Sequence, residues 1–88
     1  MKKFQKDPNA ILDYSINWED WLAGDTITAS NWSATTGITI VNNFNTTTST
    51  SVWLSGGFIG NSYSTVNTIT TATGRTDERT LTINVVNK

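Results

Sequence analysis

A chain of 88 residues with a formal net charge of −1 has room for one domain only. With four Trp, three Phe and two Tyr at near-zero net charge, it is not a disordered charged tail. It contains neither Cys nor His, which excludes a disulfide framework, a thiol nucleophile, a zinc–thiolate site and the commonest general base. Thr, Ser and Asn make up roughly two-fifths of the residues, a bias toward extended chain and turns.

Residues 1–9 read as a flexible basic arm, with Lys2, Lys3 and Lys6, no apolar alternation, and Pro8 forcing Asp7 toward extended geometry. Residues 10–88 read as the folded domain. Leu12, Tyr14, Ile16 and Trp18 recur every second residue, the period of a half-buried strand. Trp18-Glu-Asp-Trp21-Leu22 breaks that phase with i, i+3 spacing, so a single helical turn is expected near Trp18–Leu22, stopped by Ala23-Gly24-Asp25. A second strand should run from about Thr26 to Ala34, with a bulge near Ser30 or Asn31 bringing Ile27, Ala29, Trp32 and Ala34 to one face. Gly37 turns the chain into Ile38, Ile40 and Val41, and Asn42-Asn43 should end that strand. Phe44 through Ser49 reads as an edge strand or a mobile loop. Thr50, Val52 and Leu54 then alternate inward while Trp53 faces the other way.

The last third carries the clearest pattern. Tyr63, Thr65, Asn67, Ile69 and Thr71 share one parity, and after Ala72-Thr73-Gly74 the chain returns with Arg79, Leu81, Ile83 and Val85. This is a long hairpin. Six or seven short strands at this spacing, rich in β-branched residues, predict an all-β fold: a single antiparallel β-sandwich of immunoglobulin or fibronectin type.

Little in the chain points to chemistry. Asp13, Glu19, Asp20 and Asp25 are the carboxylates to weigh as a glycosidase pair or a calcium site, but no DxDxDG-type loop is present. They read instead as turn and cap ligands. No catalytic, cofactor-binding or metal-binding residue is expected. Six Lys and Arg, split between the two ends, are too few for a nucleic-acid surface, and no apolar run approaches the ~20 residues of a membrane-spanning helix. The Met-Lys-Lys opening starts like a signal peptide, but Asn9, Asp13 and Ser15 deny it an apolar centre, so synthesis in the cytosol is expected. Asn31-Trp-Ser33 and Asn45-Thr-Thr47 match the glycosylation acceptor pattern, as chance allows in so Asn- and Thr-rich a chain.

Trp18 and Trp32 read as core. Trp53 reads as exposed or interfacial, an anchor for a protein partner in preference to a sugar. Arg75-Thr-Asp-Glu-Arg79 reads either as a solvated hairpin with a cross-strand ion pair or as the polar rim of a subunit contact. The candidate protein-interface residues are therefore Lys2, Lys3, Phe4, Lys6, Trp53, Arg75 and Arg79.

Lys6-Asp7-Pro8-Asn9-Ala10-Ile11-Leu12-Asp13-Tyr14, then Asn17-Trp18, Trp21-Leu22, Gly24-Asp25-Thr26-Ile27 and Trp32, resembles the opening of the small tail-fibre adaptor proteins of tailed bacteriophages. Val52-Trp53-Leu54-Ser55-Gly56-Gly57, Tyr63, Ile69-Thr70-Thr71, Gly74-Arg75-Thr76-Asp77 and the strand Leu81–Val85 continue the resemblance to about Val86. Asn17 stands where the family pattern usually has Asp. The resemblance implies a sandwich protein of the virion, made in the host bacterial cytoplasm, without catalysis or cofactor. It would connect tail or neck to fibres through other virion proteins, in multiple copies within a symmetric assembly. The arm would order on a neighbouring subunit, Lys2, Lys3 and Lys6 meeting acidic partners and Phe4 filling a pocket. The alternatives are a capsid decoration or cement protein and a carbohydrate-binding module for host attachment.

Overall fold

The computed structural model describes residues 2–6 and 10–86. They form seven strands and one helical turn: β1 (Lys2–Lys6), β2 (Leu12–Asn17), α1 (Glu19–Leu22), β3 (Ile27–Ala34), β4 (Ile38–Asn45), β5 (Ser49–Gly56), β6 (Ser62–Thr71) and β7 (Thr76–Val85). One sheet has the order β1-β7-β6-β3 and the other β2-β5-β4. The result is the expected all-β sandwich. Its strand order is that of an immunoglobulin constant-type domain whose first strand has moved to the opposite sheet.

Alternation along the strands builds the core. Tyr14 and Ile16 of β2 and Val52 and Leu54 of β5 face Tyr63, Ile69, Leu81, Ile83 and Val85 of β6 and β7, all buried. Trp18 continues the inward phase of β2 past its end and is fully buried. Each such side chain stabilises the fold by about 1.5–3 kcal/mol relative to exposure. Two glycines allow close approach at the lower end of the sandwich, away from α1. A Cβ on Gly37 (φ +108°) would lie 2.6 Å from the Tyr63 ring, and one on Gly57 (φ +94°) would lie 2.6 Å from Val85 Cγ2.

With no cysteine available, a buried polar bridge joins the sheets. Trp18 Nε1 donates to Thr50 Oγ1 (3.2 Å) and to Asn67 Oδ1 (3.1 Å), and Thr50 Oγ1 donates to Asn67 Oδ1 (2.6 Å). Asn67 Nδ2 donates in turn to Ser30 Oγ (2.9 Å) and to the Asn31 carbonyl (3.1 Å). Trp18, Thr50 and Asn67 are all fully buried. Both ends of the Asn67 amide are thereby satisfied, as a buried polar group requires.

Three details differ from the sequence expectations. Residues 2–6 are a strand, paired in parallel with β7 from Lys2↔Leu81 to Lys6↔Val85, and so are not an arm. The pairing is made by the backbone, which side-chain alternation does not report; Met1 and residues 7–9 lie outside the described residues. The bulge in β3 falls at Thr28, between Ile27↔Thr71 and Ala29↔Thr70, earlier than the Ser30–Asn31 position expected from parity, so Ala29 is exposed and Ser30 takes the inward phase with partly buried Trp32 and Ala34. β4 runs through Asn42-Asn43 to Asn45, because a second register slip, between Ile40 and Asn42, lets the polar half of the strand stay paired with β5.

Thr65, fully buried between Ala34 and Leu81 in register, carries a hydroxyl with no partner in the structure. Replacing it with Val keeps the shape and removes an unpaired polar atom. Thr65→Val is expected to raise stability by about 1 kcal/mol, read as a higher urea midpoint at unchanged slope. A lower midpoint would mean that the hydroxyl is bonded in solution.

Candidate functional site

The charged groups singled out in the sequence are largely committed to contacts within the chain. At the upper end, Arg75 stands over the Trp21 ring, 4.3 Å from its centroid. Its Nη2 donates to the Leu22 carbonyl (2.8 Å), Nη1 to the Trp21 carbonyl (3.4 Å) and Nε to Asp25 Oδ2 (3.2 Å). One guanidinium therefore satisfies carbonyls at the end of α1, caps an aromatic face and ties the β6–β7 turn to the β2–β3 connection. Its ion pair is with Asp25, across these two connections and not across the hairpin. Arg79 lies 4.1 Å over the Trp18 ring, with Nη1 3.4 Å from the Asn17 carbonyl.

Asp25 is the most strongly perturbed carboxylate described. The Thr73 hydroxyl, donating to Oδ2 at 2.6 Å, and after it the Thr71 hydroxyl hold it well below the usual carboxylate range. The Thr26 amide and Arg75 act the same way, and together these outweigh the opposing effect of burial. A depressed carboxylate stabilises the fold fully above its unfolded value of about 4 and loses that contribution as pH falls below it. The stability gap between wild type and Asp25→Asn is therefore expected to be constant from pH 5 to 8 and to narrow below about pH 4, measured by thermal unfolding at each pH. A gap independent of pH would place the charge outside the cluster.

The other acids do not join Asp25 in a cleft. Asp13 lies on β2 opposite Trp53, while Glu19 and Asp20 are exposed in the first turn of α1. Asn17 Oδ1 accepts from the Glu19 amide at 2.9 Å, an Asx turn leading into α1 that a neutral amide oxygen makes as well as an acid would. Among the described residues no group of three or more His, Cys, Asp or Glu could hold a metal ion.

Lys6 requires correction as an interface residue. Its side chain is fully buried, and Nζ donates to the Gly56 carbonyl at 2.8 Å. Lys2, Lys3 and Phe4 are placed by their backbone in β1, and their side chains lie outside what is described. Trp53 is on the outer face of the smaller sheet, as its parity required. It is half-buried between Asp13 of β2 and Asn42 of β4, with exposed Phe44 two residues further along β4.

The apolar surface that the sequence reading missed lies at the lower end. Phe58 (71% exposed) and Ile59 (59%) sit in the β5–β6 connection, and Ile11 and Leu12 open β2 at the same end. The connection is held in place. Gly57 N donates to the Gly37 carbonyl, Phe58 N to the Tyr63 hydroxyl and Gly60 N to the Val85 carbonyl, each at 3.0 Å. A bonded loop that presents a Phe and an Ile to solvent is a contact surface in form. The available signal was Phe58-Ile59 itself, an apolar pair between Gly57 and Gly60 with no alternation to bury it.

The family model described as podophage GP4 fiber-tail adaptor protein gp77 matches residues 6–84. No curated protein matches the chain.

Proposed function

This chain belongs to the podophage GP4 fiber-tail adaptor family, and from that premise we propose that it is a non-enzymatic connector joining the tail or neck of the virion to its fibres. Family membership makes it a tail-associated structural component of a phage particle, with other virion proteins as partners. The rigid lower end, with Phe58 and Ile59 exposed on a hydrogen-bonded loop, is the observation that carries a docking role. The outer face around Trp53 and Phe44 offers a second contact, and the free edge of β1, the strand of Lys2, Lys3 and Phe4, a third. Two contacts on one rigid body are the minimum for a connector. Arg75 and Arg79 would support such contacts indirectly, by fixing Trp21 and Trp18.

The copy number of the chain in purified particles, by quantitative mass spectrometry against the major capsid protein, tests this reading. About six to twelve copies are expected from the rotational symmetry of a neck or tail. Hundreds would make it a capsid decoration protein, and none would end the structural reading and favour a screen for sugar binding.

Phe58→Asp combined with Ile59→Asp separates docking from folding. Both side chains are exposed, so the melting temperature should change little, with a stability effect of about 0.5 kcal/mol or less. Incorporation into particles is expected to fall at least tenfold. Normal incorporation would show that the lower end is not a contact.

A further inference from the structure

The two sheets end in four strand edges, and three of them carry features that discourage pairing. β3 slips register at Thr28, β4 slips between Ile40 and Asn42, and β1 is only five residues long and carries Lys2 and Lys3. The edge of β2 has none of these. It pairs with β5 without a slip from Leu12↔Leu54 to Asn17↔Ser49 and contains neither Pro nor Lys.

The hydrogen-bond phase shows which groups that edge presents. Trp18 N donates to the Thr48 carbonyl at 2.9 Å, continuing the β2–β5 ladder, so the even-numbered residues of β2 bond to β5. Asp13, Ser15 and Asn17 then turn their N–H and C=O groups to the free side. The Asn17 carbonyl accepts from Arg79, while the outward backbone groups of Asp13 and Ser15 have no partner among the described residues.

A second observation marks the same place. Leu12 is opposite buried Leu54 and shares its inward parity, yet it is 38% exposed, with no strand on the free side of β2 among the described residues. β3 lies against β4, and Arg79 of β7 reaches Asn17 of β2, so the four-stranded sheet extends past the three-stranded one by β1. A single added strand would fit beside β2 and beneath β1. A second copy of the chain would not: two-fold pairing of β2 with β2 puts both larger sheets on one side, where the overhanging β1 of each copy runs into β7 of the other.

We propose that the free edge of β2 receives one extended segment of a partner virion protein, which completes the smaller sheet as a fourth strand. Asp13 on the outer face, with Glu19 and Asp20 exposed beyond its upper end, selects a segment carrying basic residues. Exposed Ile11 and Leu12 at its lower end call for an apolar residue there. The virion origin of the segment rests on the adaptor reading; the open edge does not.

Ser15→Pro tests the edge. Its N–H points away from β5, so Pro leaves the existing ladder intact but blocks an added strand. Asn45→Pro on the edge of β4 is the control. Ser15→Pro also removes the Ser15–Ser51 hydroxyl bond (2.7 Å), so Ser15→Ala is its reference. Ser15→Pro is expected to melt like Ser15→Ala and to lose at least tenfold in particle incorporation or in fibre retention, which Ser15→Ala and Asn45→Pro both keep. A photo-crosslinking aromatic residue in place of exposed Ile11, which leaves Asp13 intact, is expected to capture a basic segment of a tail or fibre protein in assembled particles, and this readout stands even if Ser15→Pro lowers stability. Wild-type incorporation and fibre retention of Ser15→Pro, or crosslinks only to another copy of this chain, would overturn the proposal. If the Phe58 and Ile59 variant is excluded from particles while Ser15→Pro behaves as wild type, the edge proposal alone falls. If the wild-type chain is missing from particles, the adaptor reading falls with it.

Discussion

Asn67→Ala is expected to lower the free energy of unfolding by about 3–5 kcal/mol, seen as a large drop in urea midpoint. The substitution removes the acceptor shared by Trp18 Nε1 and Thr50 Oγ1, both fully buried, and the donor to Ser30 and Asn31. A buried polar group left without its partner costs about 1–3 kcal/mol, and the vacated volume adds to that. A domain of this size is stable by only some 5–10 kcal/mol, so this variant should lie near the threshold of folding. A double-mutant cycle with Trp18→Phe isolates the bridge from the cavity, because Phe removes the indole donor. Coupling of about 1 kcal/mol or more is expected between the two positions. Additive losses would mean that Asn67 acts by packing alone.

Deleting residues 1–6 is expected to lower the melting temperature by roughly 10 °C or more, corresponding to about 2–3 kcal/mol. The bonds of the β1–β7 ladder nearly cancel against the entropy of ordering five residues, so the backbone alone contributes little. The difference comes from the core. Leu81, Ile83 and Val85 pair with β1 and are at most 2% exposed, and on the order of 100 Å² of newly exposed apolar surface would cost about 2.5 kcal/mol. The deletion also removes the Lys6 Nζ contact with the Gly56 carbonyl and the Val86 N–H bond to the Lys6 carbonyl. A free arm would leave the melting temperature unchanged, and circular dichroism distinguishes the two outcomes directly. The deletion therefore perturbs folding as well as any contact made by Lys2, Lys3 or Phe4. Its effect on assembly has to be compared with that of variants in the exposed lower loop, which spare the fold.

Lys6 shows why β1 was not legible. A lysine in a polar run has no local feature that marks it for burial. It is buried here because β7 offers an edge and the Gly56 carbonyl lies within reach of its amine, two facts set some fifty and eighty residues further along the chain. Arg75 and Arg79 are similar cases. Their charge suggested a rim, but Trp21 and Trp18 lie beneath them and the carbonyls of Trp21, Leu22 and Asn17 accept their protons. Asn67 was placed correctly on an inward face by parity, although its partners, Trp18 just before α1 and residues of β3 and β5, come together only when the sheets stack.

Local alternation, turn residues and composition determined by themselves that the chain is an all-β sandwich, that its last two strands form a long hairpin, that Trp18 is core and that Trp53 faces outward. Those properties depend on the two-residue period of a strand, which is written in consecutive residues. The tertiary structure alone decided which edge β1 occupies, which charges are enclosed, how the polar bridge closes and that Phe58, Ile59 and the edge of β2 remain open. Each depends on which strands become neighbours, and strand order is fixed by burial and backbone pairing between residues far apart in the chain.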